Sequence, residues 1–130
     1  MSELSDHFGS EKLRCPDGCG YGERPGDVDV KLLIVLEGMR RARGADLPVE
    51  FCCRCDAWEL DDCPEAMPSH RRGMAAHVPF LDEVDCWKIV WAAREAGAIG
   101  IWIHPHFVHV DVDRLPQRPK LGWGRPSEAK

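Results

Sequence analysis

Residues 99–112 read Ile-Gly-Ile-Trp-Ile-His-Pro-His-Phe-Val-His-Val-Asp-Val, two runs rich in β-branched and aromatic residues separated only by Pro105 and His106. Such runs favour strands. A spacer this short joins them as a tight antiparallel hairpin, because parallel neighbours need a crossover of a dozen residues or more. The expected strands cover 99–104 and 107–112. Side chains alternate across a strand, so Phe107, His109 and Asp111 share one face, with Asp111 roughly 7 Å along from His109 at about 3.3 Å of rise per residue.

Upstream of the hairpin, Asp82 or Glu83 opens a helix running to about Ala96 and closed by Gly97, with Val84, Trp87, Ile89, Val90 and Trp91 as its expected buried stripe. Before it, 73–80 reads as a short strand in which Ala75, His77 and Pro79 point one way and Ala76 and Val78 the other. The clearest helix spans 28–43, where Val28, Leu32, Val35, Leu36 and Met39 recur at three- and four-residue steps. Asp27 or Asp29 is available as its N-cap and Gly44 as its stop. A strand is expected over 47–53, with Val49 and Phe51 flanking Glu50, followed by a loop over 54–68 rich in Asp, Pro and Cys. Helices and strands that do not alternate as βαβ units predict an α+β domain, a small antiparallel sheet with helices packed on one face.

At 130 residues the chain fits one domain, expected over 1–118, with 119–130 as a C-terminal tail that Trp123 could pin to the body. A net charge of -5 argues against nucleic acid or an anionic membrane as partner, since both reward a basic surface. No run of 18 apolar residues is present, so membrane insertion is not expected. The first ten residues lack the basic and apolar regions of a signal peptide, which predicts a protein that is cytoplasmic when synthesised. Seven cysteines cannot all pair within one chain.

The chemistry concentrates in two segments, Ser69-His70-Arg71-Arg72-Gly73-Met74-Ala75-Ala76-His77 and Phe107-Val108-His109-Val110-Asp111. Three neutral imidazoles with a fourth position open are the ligand set of a catalytic zinc ion. His70 and His77 lie too far apart in sequence to be the i, i+4 pair of a helical His-Glu-x-x-His protease, so a turn at Gly73 must fold His70 back toward the strand carrying His77.

The order Arg54-Cys55, Ser69-His70, Gly73, Ala75-Ala76-His77, Ile99-Gly100-Ile101 and Phe107-Val108-His109-Val110-Asp111 resembles the zinc D-Ala-D-Ala carboxypeptidase family, which includes phage L-alanyl-D-glutamate endolysins. His7-Phe8 and residues 15–20 resemble the start of its small phage-type members, so the likeness runs from about residue 7 to 113. It implies the fold of that family and of hedgehog domains, with Zn2+ held by His70, His77 and His109. Arg54 and Ser69 become substrate contacts, and Asp111 or His106 moves the proton to the leaving amine. The implied substrate is the D-amino-acid-containing stem peptide of peptidoglycan, and the implied site of action the cell wall or a phage particle. Three positions depart from the family. His77 stands where it has an Asp ligand, His106 where many members have Glu, and Asp56-Ala57-Trp58 where an Asn follows Arg-Cys. A third imidazole leaves the full +2 charge on the ion, which lowers the pKa of a bound water and weakens it as a nucleophile.

The alternative is a metal-binding but catalytically silent module of the same fold, such as a phage structural or wall-binding domain, in which His77 marks loss of the peptidase site. His7 and His104 read as ordinary surface or core histidines, and the five tryptophans as core and loop anchors. Cys15, Cys19, Cys52, Cys53, Cys55 and Cys63 could supply a structural zinc site or disulfides, although they lack paired Cys-x-x-Cys knuckles. Cys86 reads as a buried thiol.

Overall fold

A computed structural model describes residues 4–24, 26–55, 67–114 and 121–123. The expected acidic loop lies outside them over 56–66, with Asp56-Ala57-Trp58 and Cys63, as does the expected tail apart from 121–123. The chain is α+β: α1 (Ser10–Leu13), α2 (Val30–Arg43), α3 (Met67–Arg71), β1 (Ala75–Pro79), α4 (Glu83–Ala96), β2 (Gly100–Ile103), β3 (Phe107–Asp111) and β4 (Leu121–Trp123). The sheet order is β1-β3-β2-β4, with β1, β3 and β2 antiparallel neighbours. Within the stretch read as tail, β4 adds a parallel partner to β2, pairing Ile101 with Leu121. No helix among the described residues is long and apolar enough to cross a membrane.

Both long helices carry local start and stop signals. The Asp29 carboxylate accepts from the Lys31 amide at 2.7 Å and the Asp82 carboxylate from the Asp85 amide at 2.8 Å, satisfying donors that a first turn leaves without partners. Gly44 and Gly97 close the C-termini at φ 72° and 95°, the left-handed conformation that favours glycine. Val28, Leu32, Val35, Leu36 and Met39 are all buried as their spacing implies. Where α2 meets α4, Gly38 takes the position at which a Cβ would stand 3.0 Å from that of Ala96. Arg43 and Asp85 bridge the same two helices at 3.1 Å.

Two expectations fail locally. In α4 the buried residues are Cys86, Ile89, Val90, Ala92 and Ala93, whereas Val84, Trp87 and Trp91 are 64%, 44% and 61% exposed. The set 86, 89, 90, 93 has helical spacing as good as 84, 87, 91, and its small side chains allow close approach to α2. The bulky set therefore turns to the flank, where the Arg94 guanidinium lies 5.8 Å from the Trp91 ring centroid. The strand expected over 47–53 is a single bridge of Phe51 to His77. Pro48 lacks a ladder donor, and beyond Phe51 the backbone leaves the edge of β1 to bond elsewhere, Cys53 N–H to the Leu13 carbonyl at 2.9 Å and Arg54 N–H to that of His70 at 3.4 Å.

Alternation gives the sheet two distinct faces. Ala76 and Val78 from β1, Val108 and Val110 from β3, and Ile101 and Ile103 from β2 belong to the hydrophobic core with α2 and α4. The opposite face presents His77 from β1, His109 from β3 and Trp102 from β2, aligned in one cross-strand row. The 51–54 segment and α3 lie against that face at β1, and the site is built there.

Candidate metal centre

His70 is the penultimate residue of the short α3, and the chain reverses just beyond its end. Gly73 N–H donates to the His70 carbonyl at 3.1 Å, and Gly73 adopts φ 68°. A Cβ there would also overlap the Asp27 carbonyl, so both torsion and space demand glycine. The turn expected at Gly73 is thus present, and β1 leaves it two residues later carrying His77 back past His70.

Imidazole nitrogens of His70, His77 and His109 all lie within 4.8 Å of one another, close enough to share a metal ion. The Nε2 atoms of His70 and His77 are 3.1 Å apart, and the ring centroids of the three pairs are separated by 4.6, 5.3 and 5.4 Å. Tetrahedral zinc with bonds of about 2.0–2.1 Å sets ligand nitrogens roughly 3.3 Å apart, so the His70–His77 pair already stands near ligand spacing. The three rings are at most 4% exposed.

Each ring is keyed by its surroundings. His70 Nδ1 meets the Cys52 carbonyl at 2.9 Å. A carbonyl only accepts, so the proton sits on Nδ1 and the lone pair on Nε2 points into the cluster. His109 Nε2 meets the Asp111 carboxylate at 2.7 Å, which by the same argument leaves the His109 lone pair on Nδ1. His77 is held between two aromatic rings, Phe107 at 4.1 Å and Phe51 at 5.0 Å, both stacked. Burial, helped by the neighbouring His70, His109, His104 and Arg54, pushes its pKa well below the ordinary 6.5 and keeps it neutral, as a metal ligand must be. In the metal-free protein, the His77 Nε2 proton is what satisfies the His70 lone pair. Taking up an ion requires that proton to move to His77 Nδ1.

The remaining residues singled out in the sequence fall around this cluster in different ways. Asp111 is buried beside His109, its second oxygen accepting from the Asp113 amide at 3.2 Å. Ser69 turns to Asp113, donating at 2.8 Å to a carboxylate that also takes Arg72. Arg54 donates from Nη1 to the Cys53 carbonyl at 2.7 Å and from Nη2 to the Glu50 carbonyl at 3.1 Å, and lies 3.7 Å from the Phe51 ring centroid. Burial lowers its pKa. His106 is exposed in the hairpin turn, its carbonyl bonded to the Phe80 amide.

Three features were not read from the sequence. His104, read as an ordinary surface or core histidine, is a core one at 3% exposed, and what the sequence did not show is that it stacks on Phe107 at 4.4 Å, behind the ring that backs His77. Phe51 and the Cys52 carbonyl likewise complete the site. Only the period-two alternation that put Phe107 on the face of His109 hinted at such aromatic support. No protein-family model, curated protein or solved structure matches this chain.

Proposed function

We propose that this protein is a zinc-dependent peptidase that hydrolyses D-amino-acid-containing stem peptides of peptidoglycan. One observation carries the metal-centre part of this reading. His70 and His109 each spend one ring nitrogen on a carbonyl or carboxylate, and so direct the other toward a shared point with His77. Metal-bound histidines are oriented by such partners, which fix the tautomer and raise basicity. The substrate class rests on the resemblance stated above.

Zinc bound there supplies Lewis acidity and an activated water. The chain's own residues do the rest. Asp111 retains the proton on His109 Nε2 and thereby acts as a positioning residue. Phe51 and Phe107 hold His77 in plane and exclude water from its faces. His106 lies exposed in the hairpin turn, and its part as proton carrier rests on the resemblance.

The test is turnover of purified stem peptides by the zinc-loaded protein, read by mass spectrometry of the shortened product. The expected result is cleavage that chelation abolishes and that His109→Ala lacks. Fully loaded protein without turnover contradicts the peptidase reading and leaves the silent metal-binding module. That second reading is favoured by the engagement of Arg54 with two backbone carbonyls and of Asp111 with His109. On it, His77→Asp, which restores the carboxylate found in the resembling family, creates cleavage where there was none.

A further inference from the structure

We propose that Cys15, Asp17, Cys19 and Cys55 form a second, structural site for a divalent cation of the zinc class, separate from the histidine centre. One ligand atom from each of the four lies within 4.8 Å of the other three. The Asp17 carboxylate is the hub, with Cys15 Sγ at 3.2 Å on one oxygen and Cys55 Sγ at 2.9 Å on the other. With zinc–sulfur bonds of about 2.3 Å and zinc–oxygen bonds of about 2.0–2.2 Å, tetrahedral edges run to roughly 3.5–3.8 Å, which this cluster reaches by small adjustments. Thiolates and carboxylate together make a donor set suited to a borderline-soft ion. Binding converts three thiols to thiolates and releases three protons to solvent.

The backbone brings the two halves together independently of these side chains. Cys15 N–H donates to the Tyr21 carbonyl at 2.8 Å, closing the loop that carries Cys15, Asp17 and Cys19. The loop turns at Gly18, Gly20 and Gly22, all at positive φ, and the Cys15-x-x-x-Cys19 spacing falls within the two-to-four-residue gap common in structural zinc sites. Across from it, Cys53 N–H bonds to the Leu13 carbonyl at 2.9 Å, which delivers Cys55 to the cluster. Cys52 and Cys53 are buried and do not belong to the group.

The site has a structural consequence for the histidine centre. Phe51, which stacks on His77, and Cys52, whose carbonyl keys His70, lie within four residues of Cys55 in the same segment. An ion holding Cys55 to the N-terminal loop pins that segment.

The test is metal stoichiometry of the full chain, purified under reducing conditions, together with the optical spectrum of its cobalt(II) form. The wild type is expected to bind two ions per chain and to show a thiolate-to-cobalt charge-transfer band in the near ultraviolet. His70→Ala/His109→Ala retains one ion and the full band. Cys15→Ser/Cys55→Ser loses the band and one ion. Cobalt bound to the wild type without the band overturns the proposal, whether or not either double variant folds. So does recovery of Cys15, Cys19 or Cys55 in a disulfide from protein isolated without added reductant. A wild type that binds a single ion with the band intact supports this site and contradicts the histidine centre, so the two readings fail separately.

Discussion

Asp111 reaches His109 because residue 100, its cross-strand partner, has no side chain. A Cβ on Gly100 would stand 2.5 Å from Asp111 Oδ2 and 2.6 Å from Oδ1, so an added methyl drives the carboxylate off the imidazole. On the proposed centre, Gly100→Ala and Asp111→Asn are therefore expected to weaken metal binding by the same route. Each is expected to cost roughly 10- to 100-fold in affinity, the usual effect of removing a group that orients a ligand histidine. Competition with a chromophoric chelator measures it, and unchanged affinity in both variants would mean that Asp111 does not set the His109 tautomer. Strand alternation put His109 and Asp111 on one face and Gly73 offered the turn that returns His70, but it was the resemblance that singled out the three histidines as one set. The Cys52 carbonyl was not legible in the sequence, since every residue has one and only the fold selects which is used. Phe51 escaped for a related reason. Its neighbours invite reading it as an ordinary strand residue, while its role depends on one bridge to His77.

At the scale of elements, the site depends on a hairpin and β1 whose second face is sealed by two capped helices. Asp82→Ala removes the acceptor for the Asp85 amide and is expected to cost about 0.5–2 kcal/mol. Leu36→Ala, in α2, opens a void at a fully buried position and is expected to cost about 2–5 kcal/mol. Urea unfolding of the two variants checks both, and equal small losses would contradict the core assignment. Helix ends were readable here because Asp caps and glycine stops act through local chemistry. The rotation of α4 about its axis was not, because two apolar stripes compete in its sequence. The choice falls to whichever lets α2 approach, and that packing lies outside the helix. The strand over 47–53 failed similarly: its composition suits β structure, but it pairs with β1 only around Phe51, and the Cys53 N–H goes to the Leu13 carbonyl instead.

For the molecule as a whole, the histidine centre ties stability to pH and to metal. His77 in the folded protein resists protonation, its pKa lying well below the ordinary 6.5 through burial first and the electrostatics of His70, His109, His104 and Arg54 second. The unfolded chain binds that proton as pH falls through about 6.5, whereas the folded chain does not, so stability rises with pH across this window. Metal-free protein is thus expected to hold full stability above pH 7 and to lose it progressively below 6.5, followed by Tm. A Tm flat from pH 7 to pH 5 would contradict a buried neutral His77. A metal ion held at the proposed centre would also stabilise the fold, since an ion that binds only the folded state adds about 2.7 kcal/mol at a concentration one hundred times its Kd.

Whether His70, His77 and His109 hold one ion between them is decided by anomalous diffraction at the zinc edge from crystals of the zinc-loaded protein. A peak is expected about 2.0–2.1 Å from one nitrogen of each ring, with Cys52 and Asp111 still bonded to His70 and His109. Zinc-loaded crystals with no peak among the three rings, and the His70–His77 hydrogen bond intact, would contradict it.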